Sequence, residues 1–240
     1  MISLAITNYN RVEMVIESCI QVIDNDLISE IIIMDDFSDV HLYIKLWNAI
    51  QDLNTDKVKL YRRTKNLGPL LNKYEAVKKS SNEWGILLDS DNIIDNDYVK
   101  KVVELEKESD MLYCPEILWE GVNKKKAKWN YEKFRGLIID KTNAKDYIET
   151  DSFLTWLNTG NYFFNRDIYL GVVEKSTIRS GLIYNDAIYF SYLWLMGGNR
   201  MQIVPELAYI HRAHEGSWYK KNRSLCNKNT ETIKEKLKTA

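Results

Sequence analysis

Through the N-terminal part of the chain, short β-branched runs alternate with segments of helical period: Ile2 to Thr7, Val12 to Asp24, Glu30 to Asp35, Val40 to Asn54 and Val58 to Arg62. A βαβαβ order predicts a mostly parallel sheet, because parallel neighbours need a long crossover and a helix supplies it. In Val12 to Asp24 the apolar residues Val12, Val15, Ile16, Cys19, Ile20 and Ile23 recur at steps of three and four, which makes one buried helix face. Ile31, Ile32, Ile33 and Met34 form a continuous apolar run, suited to a strand covered on both sides. A helix from about Leu70 to Ser80 leads into a further strand at Trp84 to Leu88, and another helix follows from Asp97 through Glu108. Sheets of this kind bind ligands beyond the carboxyl ends of their strands, so the polar residues just after each strand carry the functional question.

Beyond Glu108 the periodicity loosens. The segment from Trp119 to Phe134 contains NKKKAKWNYEK, which reads as an exposed insertion with solvated lysines; the alternative is peripheral contact of Lys124 to Trp129 with an anionic membrane face. Regular signals return at Asn161 to Phe164, in a short helix from Arg166, in a helix from about Asp186 to Met196 and in a strand near Tyr209 to Arg212. Lys220 to Ala240 reads as a polar helix or a frayed end. With 240 residues and 45% hydrophobic content, one domain with a substantial core is expected. The formal charge of -1 speaks against a broad basic surface and hence against nucleic acid as a partner. Cys19, Cys114 and Cys226 are widely spaced and form no CxxC pair, which predicts a reduced, cytoplasmic setting. The N-terminus shows no basic leader, and no apolar run approaches the roughly 20 residues of a membrane span.

Three D-x-D triplets occur, at Asp24 and Asp26, Asp89 and Asp91, and Asp95 and Asp97, so context has to choose among them. Only Asp89-Ser90-Asp91 directly follows a buried-type strand, WGILL, which would hold two carboxylates at the carboxyl edge; Asp97 reads as a helix N-cap. A hard cation such as Mg²⁺ or Mn²⁺ uses one or two carboxylates and completes its shell with phosphate and water, and a solvated acidic turn is the competing reading of the triplet. Asp35-Asp36 ends the strand IIIM, where a carboxylate can accept from a base or ribose, while Ser38 and Asp39 read as caps of the next helix. Thr7-Asn8-Tyr9-Asn10-Arg11 closes the first strand, and Tyr9 offers a face for a nucleobase or for ordinary packing.

Taken in order, these elements resemble glycosyltransferase family 2. The similarity runs from Leu4 to about Ser217: a T-x-Y-N-R segment at Thr7, Tyr9, Asn10 and Arg11, a D-D-x-S element at Asp35, Asp36 and Ser38, an N-x-G at Asn66 to Gly68, and the D-x-D at Asp89 and Asp91. Thr159-Gly160, the pair Asn185-Asp186 and an R-x-H-x-x-S element at Arg212, His214 and Ser217 complete it. The resemblance implies a GT-A fold: α/β, one Rossmann-like domain with a mostly parallel central sheet flanked by helices and a smaller acceptor-side region. On that reading residues 1–217 form the domain, with 1–97 binding nucleotide sugar and 98–217 the acceptor, and 218–240 are a polar tail.

The resemblance further implies an inverting, metal-dependent transfer of sugar from a nucleotide diphosphate donor, with Asp186 as general base. Thr7, Tyr9 and Asp36 match the base-binding group, and Asp36, accepting from an imide N–H, favours a UDP-sugar. Asp89 matches the residue facing ribose or sugar, and Arg11, Asn66, Ser90 and Gly160 join the nucleotide-sugar set. Asp91 and His214 match the ligands of a Mn²⁺ or Mg²⁺ cofactor. Lys73 stands where many relatives place an arginine, which makes it a candidate for phosphate contact, and Asn185 replaces an acidic residue. A glycan or glycolipid acceptor in surface polysaccharide or glycolipid synthesis is implied by resemblance alone. Two other functions fit parts of the pattern. A nucleotidyltransferase would also use a sheet-edge carboxylate pair but usually carries a Gly-rich basic loop, and TNYNR has no glycine. A silent sugar-nucleotide-binding module would need Tyr9 and Asp36 but neither Asp91 nor Asp186.

Overall fold

The computed structural model describes residues 1–121, 125–126, 131–176, 186–212 and 217–240. Strands β1 (Ile2–Asn8), β2 (Ile28–Asp35), β3 (Val58–Arg62) and β4 (Trp84–Asp89) are joined by α1 (Val12–Ile20), α2 (Val40–Asp52) and α3 (Pro69–Lys79). These strands lie side by side in the order β3-β2-β1-β4, all parallel. The two crossovers through α1 and α2 step one way along the sheet and the crossover through α3 steps back, so right-handed connections put α3 on the opposite face from α1 and α2. Cover on both faces explains why β1 is buried at every position and why the end of β2 carries the unbroken apolar run Ile31 to Met34.

The remaining strands are β5 (Asn92–Ile93), β6 (Met111–Glu120), β7 (Lys125–Lys126), β8 (Ile138–Ile139), β9 (Tyr162–Asn165) and β10 (Arg200–His211). They extend the sheet as β4-β9-β6-β10-β5, with β9 antiparallel to β4 and to β6 and with β6 parallel to β10. Among the helices, α4 (Asn96–Glu104), α5 (Phe153–Leu157), α6 (Arg166–Lys175) and α7 (Asp186–Met196) precede two C-terminal ones, α8 (Trp218–Lys221) and α9 (Arg223–Lys238). None of the helices in the described residues is long and apolar enough to cross a membrane.

Several local expectations change. The N-cap of α4 is Asp95, whose carboxylate accepts from the Tyr98 amide at 3.0 Å; Asp97 sits inside the first turn. That helix stops at Glu104 instead of Glu108, because the Tyr113 hydroxyl donates to the Glu106 carbonyl and accepts from the Glu108 amide, holding the chain in a turn. β6 had no readable strand signal. Its sequence MLYCPEILWE carries Pro115 and Glu116, which argue against a central strand. The fully buried Glu116 is compensated by Arg135 at 2.6 Å and by the Glu206 amide at 2.6 Å, and the β6–β10 register shifts at that place, between Val204 and Ala208. In the Trp119 to Phe134 stretch, Tyr131 and Phe134 belong to the core and Lys125 is exposed, while Lys124 and Trp129 lie outside the described residues.

The C-terminal segment is a helix integral to the domain. Cys226, Asn229, Ile233 and Leu237 of α9 are buried, and α9 packs on α7. Cutting Ile233, fully buried, to alanine should therefore cost about 2–4 kcal/mol of stability, the usual range for such a truncation. Urea unfolding monitored by circular dichroism measures this; a change under about 0.5 kcal/mol, typical of exposed sites, is the result expected only if α9 were loosely attached.

Candidate active site

The parallel strands bring their carboxyl ends together, and the register puts Thr7 of β1 beside Asp89 of β4 and Asn8 of β1 beside Asp35 of β2. Here a cleft of about 320 Å³ opens, at the small end of the range for ligand sites. Thr7, Tyr9, Arg11, Asp36, Asn66 and Lys73 line it, as do Asp89, Asp91, Gly160 and Asp186.

Of the paired acids after β2, only Asp36 reaches the cleft. Asp35 is fully buried and accepts from Asn8 Nδ2 at 2.8 Å, from the Ser38 amide at 2.9 Å and from the Ser38 hydroxyl. This clasp holds Phe37 at φ 66°, a conformation uncommon for a bulky residue. Ser38 also accepts from the Asn10 amide at 2.8 Å, and neither Ser38 nor Asp39 makes the expected side-chain cap on α2. Asp36 accepts from the amides of Leu67 and Gly68 at 3.1 and 2.9 Å, with Arg63 at 3.6 Å. Burial pushes its carboxyl above the usual aspartate range against the pull of the amides and of Arg63. The N-x-G turn is thus tied to the Asp36 carboxylate, and Gly68, at φ 86°, supplies the left-handed conformation that lets Pro69 open α3.

Across the cleft, α3 presents Lys73, with 4% of its side chain exposed. Its ammonium lies 3.0 Å from Asp89 Oδ1 and 2.7 Å from Asp186 Oδ2, so one cation bridges two carboxylates. Burial alone would lower the lysine's pKa, but Asp186 and Asp89 outweigh it and the group is held charged, with its pKa raised. Burial raises the pKa of Asp89, which Lys73 opposes and the nearby Asp91 and Asp186 reinforce. Among the described residues no hydrogen bond claims the other oxygen of Asp186. The ammonium of Lys73 faces the carboxylates of Asp89 and Asp186. Gly160 closes the same cluster: a Cβ there would stand 2.6 Å from Asp89 Oδ2 and 2.9 Å from Lys73 Nζ, so no other residue fits without displacing them.

Asp91 pairs with Arg11 at 2.9 Å. Its loop is held by Arg212, whose side chain donates to the Asp91 and Ser90 carbonyls at 2.9 and 2.7 Å, to the Met14 carbonyl at 3.0 Å and to Glu17. Asn161 accepts from the Asp89 amide at 3.1 Å and from Asn92 Nδ2 at 3.1 Å. Ser90 departs from its expected place: it is 1% exposed, and among the described residues its hydroxyl has no hydrogen-bond partner and it does not line the cleft. His214 and Asn185 lie outside the described residues.

The donor set fits a divalent cation of the hard class. Four carboxylates, Asp36, Asp89, Asp91 and Asp186, face three cations, Arg11, Lys73 and Lys221, among the described lining residues, so a diphosphate would enter without surplus positive charge. Among the described residues no three metal-binding side chains cluster as a complete cage, and a cation such as Mg²⁺ needs none when phosphate and water supply its other ligands.

The sequence profile described as Glycosyl transferase family 2 matches residues 3–169, more than half of the chain. The chain belongs to glycosyl transferase family 2. None of the curated protein sequences matches this family member. Its fold is similar to that of S. aureus TarS in complex with UDP-GlcNAc, with a TM-score of 0.66 and 16% identity over 99% of this chain and 70% of that one. It is also similar to GalNAc-T7 with UDP, GalNAc and Mn²⁺, with a TM-score of 0.63 and 19% identity over 90% of this chain and 44% of that one. A third is the mannosyltransferase PcManGT from Pyrobaculum calidifontis in complex with GDP-Man and Mn²⁺, with a TM-score of 0.61 and 11% identity over 91% of this chain and 58% of that one. The chain thus spans less than two thirds of the length of two of these three proteins. The shared architecture is the GT-A fold.

Sequence reasoning for this family member missed Asn161 and the lining residues Asn158, Tyr219, Lys221, Asn222 and Cys226. Isolated asparagines and a polar tail carry no motif, although Thr159-Gly160 marked the neighbourhood of the first two. The bridge itself is open to test. Lys73→Met leaves Asp89 and Asp186 without their cation and should cost about 3 kcal/mol, the low end of the range for a broken buried pair because Asp89 keeps some contact with solvent. In urea unfolding, Lys73→Met/Asp186→Asn should recover part of that loss; strictly additive losses would show that the two side chains do not interact.

Proposed function

We propose that this chain is an inverting glycosyltransferase that moves a sugar from a UDP-sugar to an acceptor hydroxyl, dependent on Mn²⁺ or Mg²⁺. The observation that carries the proposal is the Lys73 bridge between Asp89, on the D-x-D loop, and Asp186, at the first turn of α7. It brings the carboxylates assigned here to the donor and acceptor sides into one cleft, and among the described residues no hydrogen bond claims the other Asp186 oxygen. Asp186 takes the proton of the acceptor hydroxyl; the hydroxyl oxygen bonds to the anomeric carbon as that carbon's bond to the diphosphate oxygen breaks, so the product is inverted. A divalent cation bound by Asp91 and His214 would neutralise charge on the departing diphosphate. Asp186 heads a helix, where the dipole favours a carboxylate and fixes its direction.

Tyr9, 44% exposed on the cleft wall, is assigned to stack on the base, and Asp36 to accept from its imide N–H. Each Asp36 oxygen already accepts one amide and retains a second lone pair for that bond. Thr7, whose hydroxyl donates to Asp89 at 3.4 Å, and Arg11, Asn66 and Gly160 complete the donor side. The UDP, UDP-GlcNAc and GDP-Man of the similar structures support a nucleotide sugar as donor class, and the uracil assignment rests on Asp36. The reading includes a glycan or glycolipid acceptor, surface polysaccharide or glycolipid synthesis as the pathway, and a cytoplasmic setting at or near a membrane face, in keeping with three buried cysteines that form no disulfide among the described residues.

Calorimetry should find UDP binding with Mn²⁺ and much weaker binding in excess chelator; equal affinity removes the metal from the scheme. In competition, UDP should displace CDP and GDP, and a win for either reassigns Asp36. Asp186→Asn should bind UDP and Mn²⁺ nearly as the parent does while transferring sugar at least about a hundredfold more slowly. Near-parental turnover of that variant would leave Asp186 as a helix cap only.

A further inference from the structure

One wall of the cleft plays no part in the chemistry above. Ser217, Tyr219, Lys221 and Asn222, from α8 and the residues on either side of it, line the same cleft as Asp186. They are continuous with α9, whose first turn carries Cys226, close enough to Asp186 to feel its charge. Tyr219 is 43% exposed, and its hydroxyl donates to Asn227 at 3.0 Å, which holds the ring in place while leaving much of it open.

The cleft cations differ in what they face. Arg11 is paired with Asp91, and Lys73 with Asp89 and Asp186. Among the described residues no carboxylate pairs with Lys221, which is exposed on the cleft wall. The cleft therefore has an exposed tyrosine with the nucleotide-side residues and a second, Tyr219, on the segment that leads into α9 and Asp186.

We propose that this wall is an acceptor subsite for a sugar ring bearing an anionic group, with Tyr219 as the face on which the ring lies and Lys221 as the partner of the anion. The proposal rests on the assignment of Asp186 as base. A pyranose ring has an apolar C–H face that suits a rigid aromatic surface with a polar tip, and Tyr219 is already ordered, so little side-chain freedom is lost on binding. An exposed lysine supplies charge attraction without the desolvation that a buried one would suffer. The anion has two common chemical forms, carboxylate and phosphate, and both would be attracted by the same ammonium.

The test titrates methyl glucoside, methyl glucuronide and glucose 6-phosphate into the protein, with and without UDP and Mn²⁺, using saturation-transfer NMR and calorimetry. All three should bind, the anionic probes several-fold more tightly, and the tighter of those two identifies the form of the anion. Tyr219→Ala should weaken all three by about two- to tenfold, the span of an aromatic face contact, while Tyr219→Phe, which keeps the ring, stays near the parent. Lys221→Met should abolish only the advantage of the anionic probes, with UDP affinity unchanged in every variant. No binding of any probe to the parent, or indifference to Tyr219→Ala, overturns the subsite. Weaker UDP binding by Lys221→Met would instead assign that lysine to the donor diphosphate and overturn its acceptor role. A parent that binds glycosides but not UDP would retain the subsite and refute the donor reading.

Discussion

The cleft depends on one buried cation between two carboxylates. Without Lys73, the carboxylates of Asp89 and Asp186 would face each other across a partly dehydrated space with no cation between them. With it, the two carboxylates share one ammonium in a region whose neighbours are apolar and aromatic: Tyr162 and Phe190 stack with ring centroids 5.5 Å apart, and Tyr169 and Phe190 at 4.5 Å. The burial that makes the ammonium costly by itself also strengthens its attraction to each carboxylate, because little water screens the pair. Gly160 belongs to the same solution, since its missing side chain is the room in which the three charges meet.

Around this bridge, the fold uses polar side chains to hold backbone at the sheet edge. Arg212 ties the D-x-D loop to α1, Asp35 and Ser38 tie β2 to β1, and Asp36 ties the N-x-G turn to the end of β2. Loops at a sheet edge expose amides and carbonyls that no strand partner satisfies, and these side chains satisfy them. Such anchoring keeps the carboxylates that face the cleft in place before any ligand arrives, which spares the ordering cost at binding. It also separates roles within a motif: of two adjacent aspartates, Asp35 is spent on structure and Asp36 faces the cleft.

Much of this was legible because strands and the residues that end them are local features. The apolar runs of β1, β2 and β4 marked both the parallel sheet and its carboxyl edge, and Thr7, Asp36 and Asp89 fell there as expected. Legibility failed where a residue's neighbours come from elsewhere in the chain. Glu116 reads as a surface residue until Arg135 and the Glu206 amide are seen around it, so β6 was missed. Ser90 sits between two acids of the cleft wall yet turns inward, and Ser38 looks like a cap until Asp35 and Asn10 claim it.

By itself the sequence determined the βαβ order, the family and the carboxylates at the strand ends, because hydrophobic period and short motifs depend on residues near one another in the chain. Tertiary structure alone decided that Lys73 and Asp186, 113 positions apart, form an ion pair at 2.7 Å. The packing of α3 against α7 creates that contact, and no local pattern encodes it. The same holds for the C-terminal segment. Its composition is that of a solvated tail, and only the docking of α9 on α7 buries Ile233 and Leu237 and turns Tyr219 and Lys221 into a wall of the cleft.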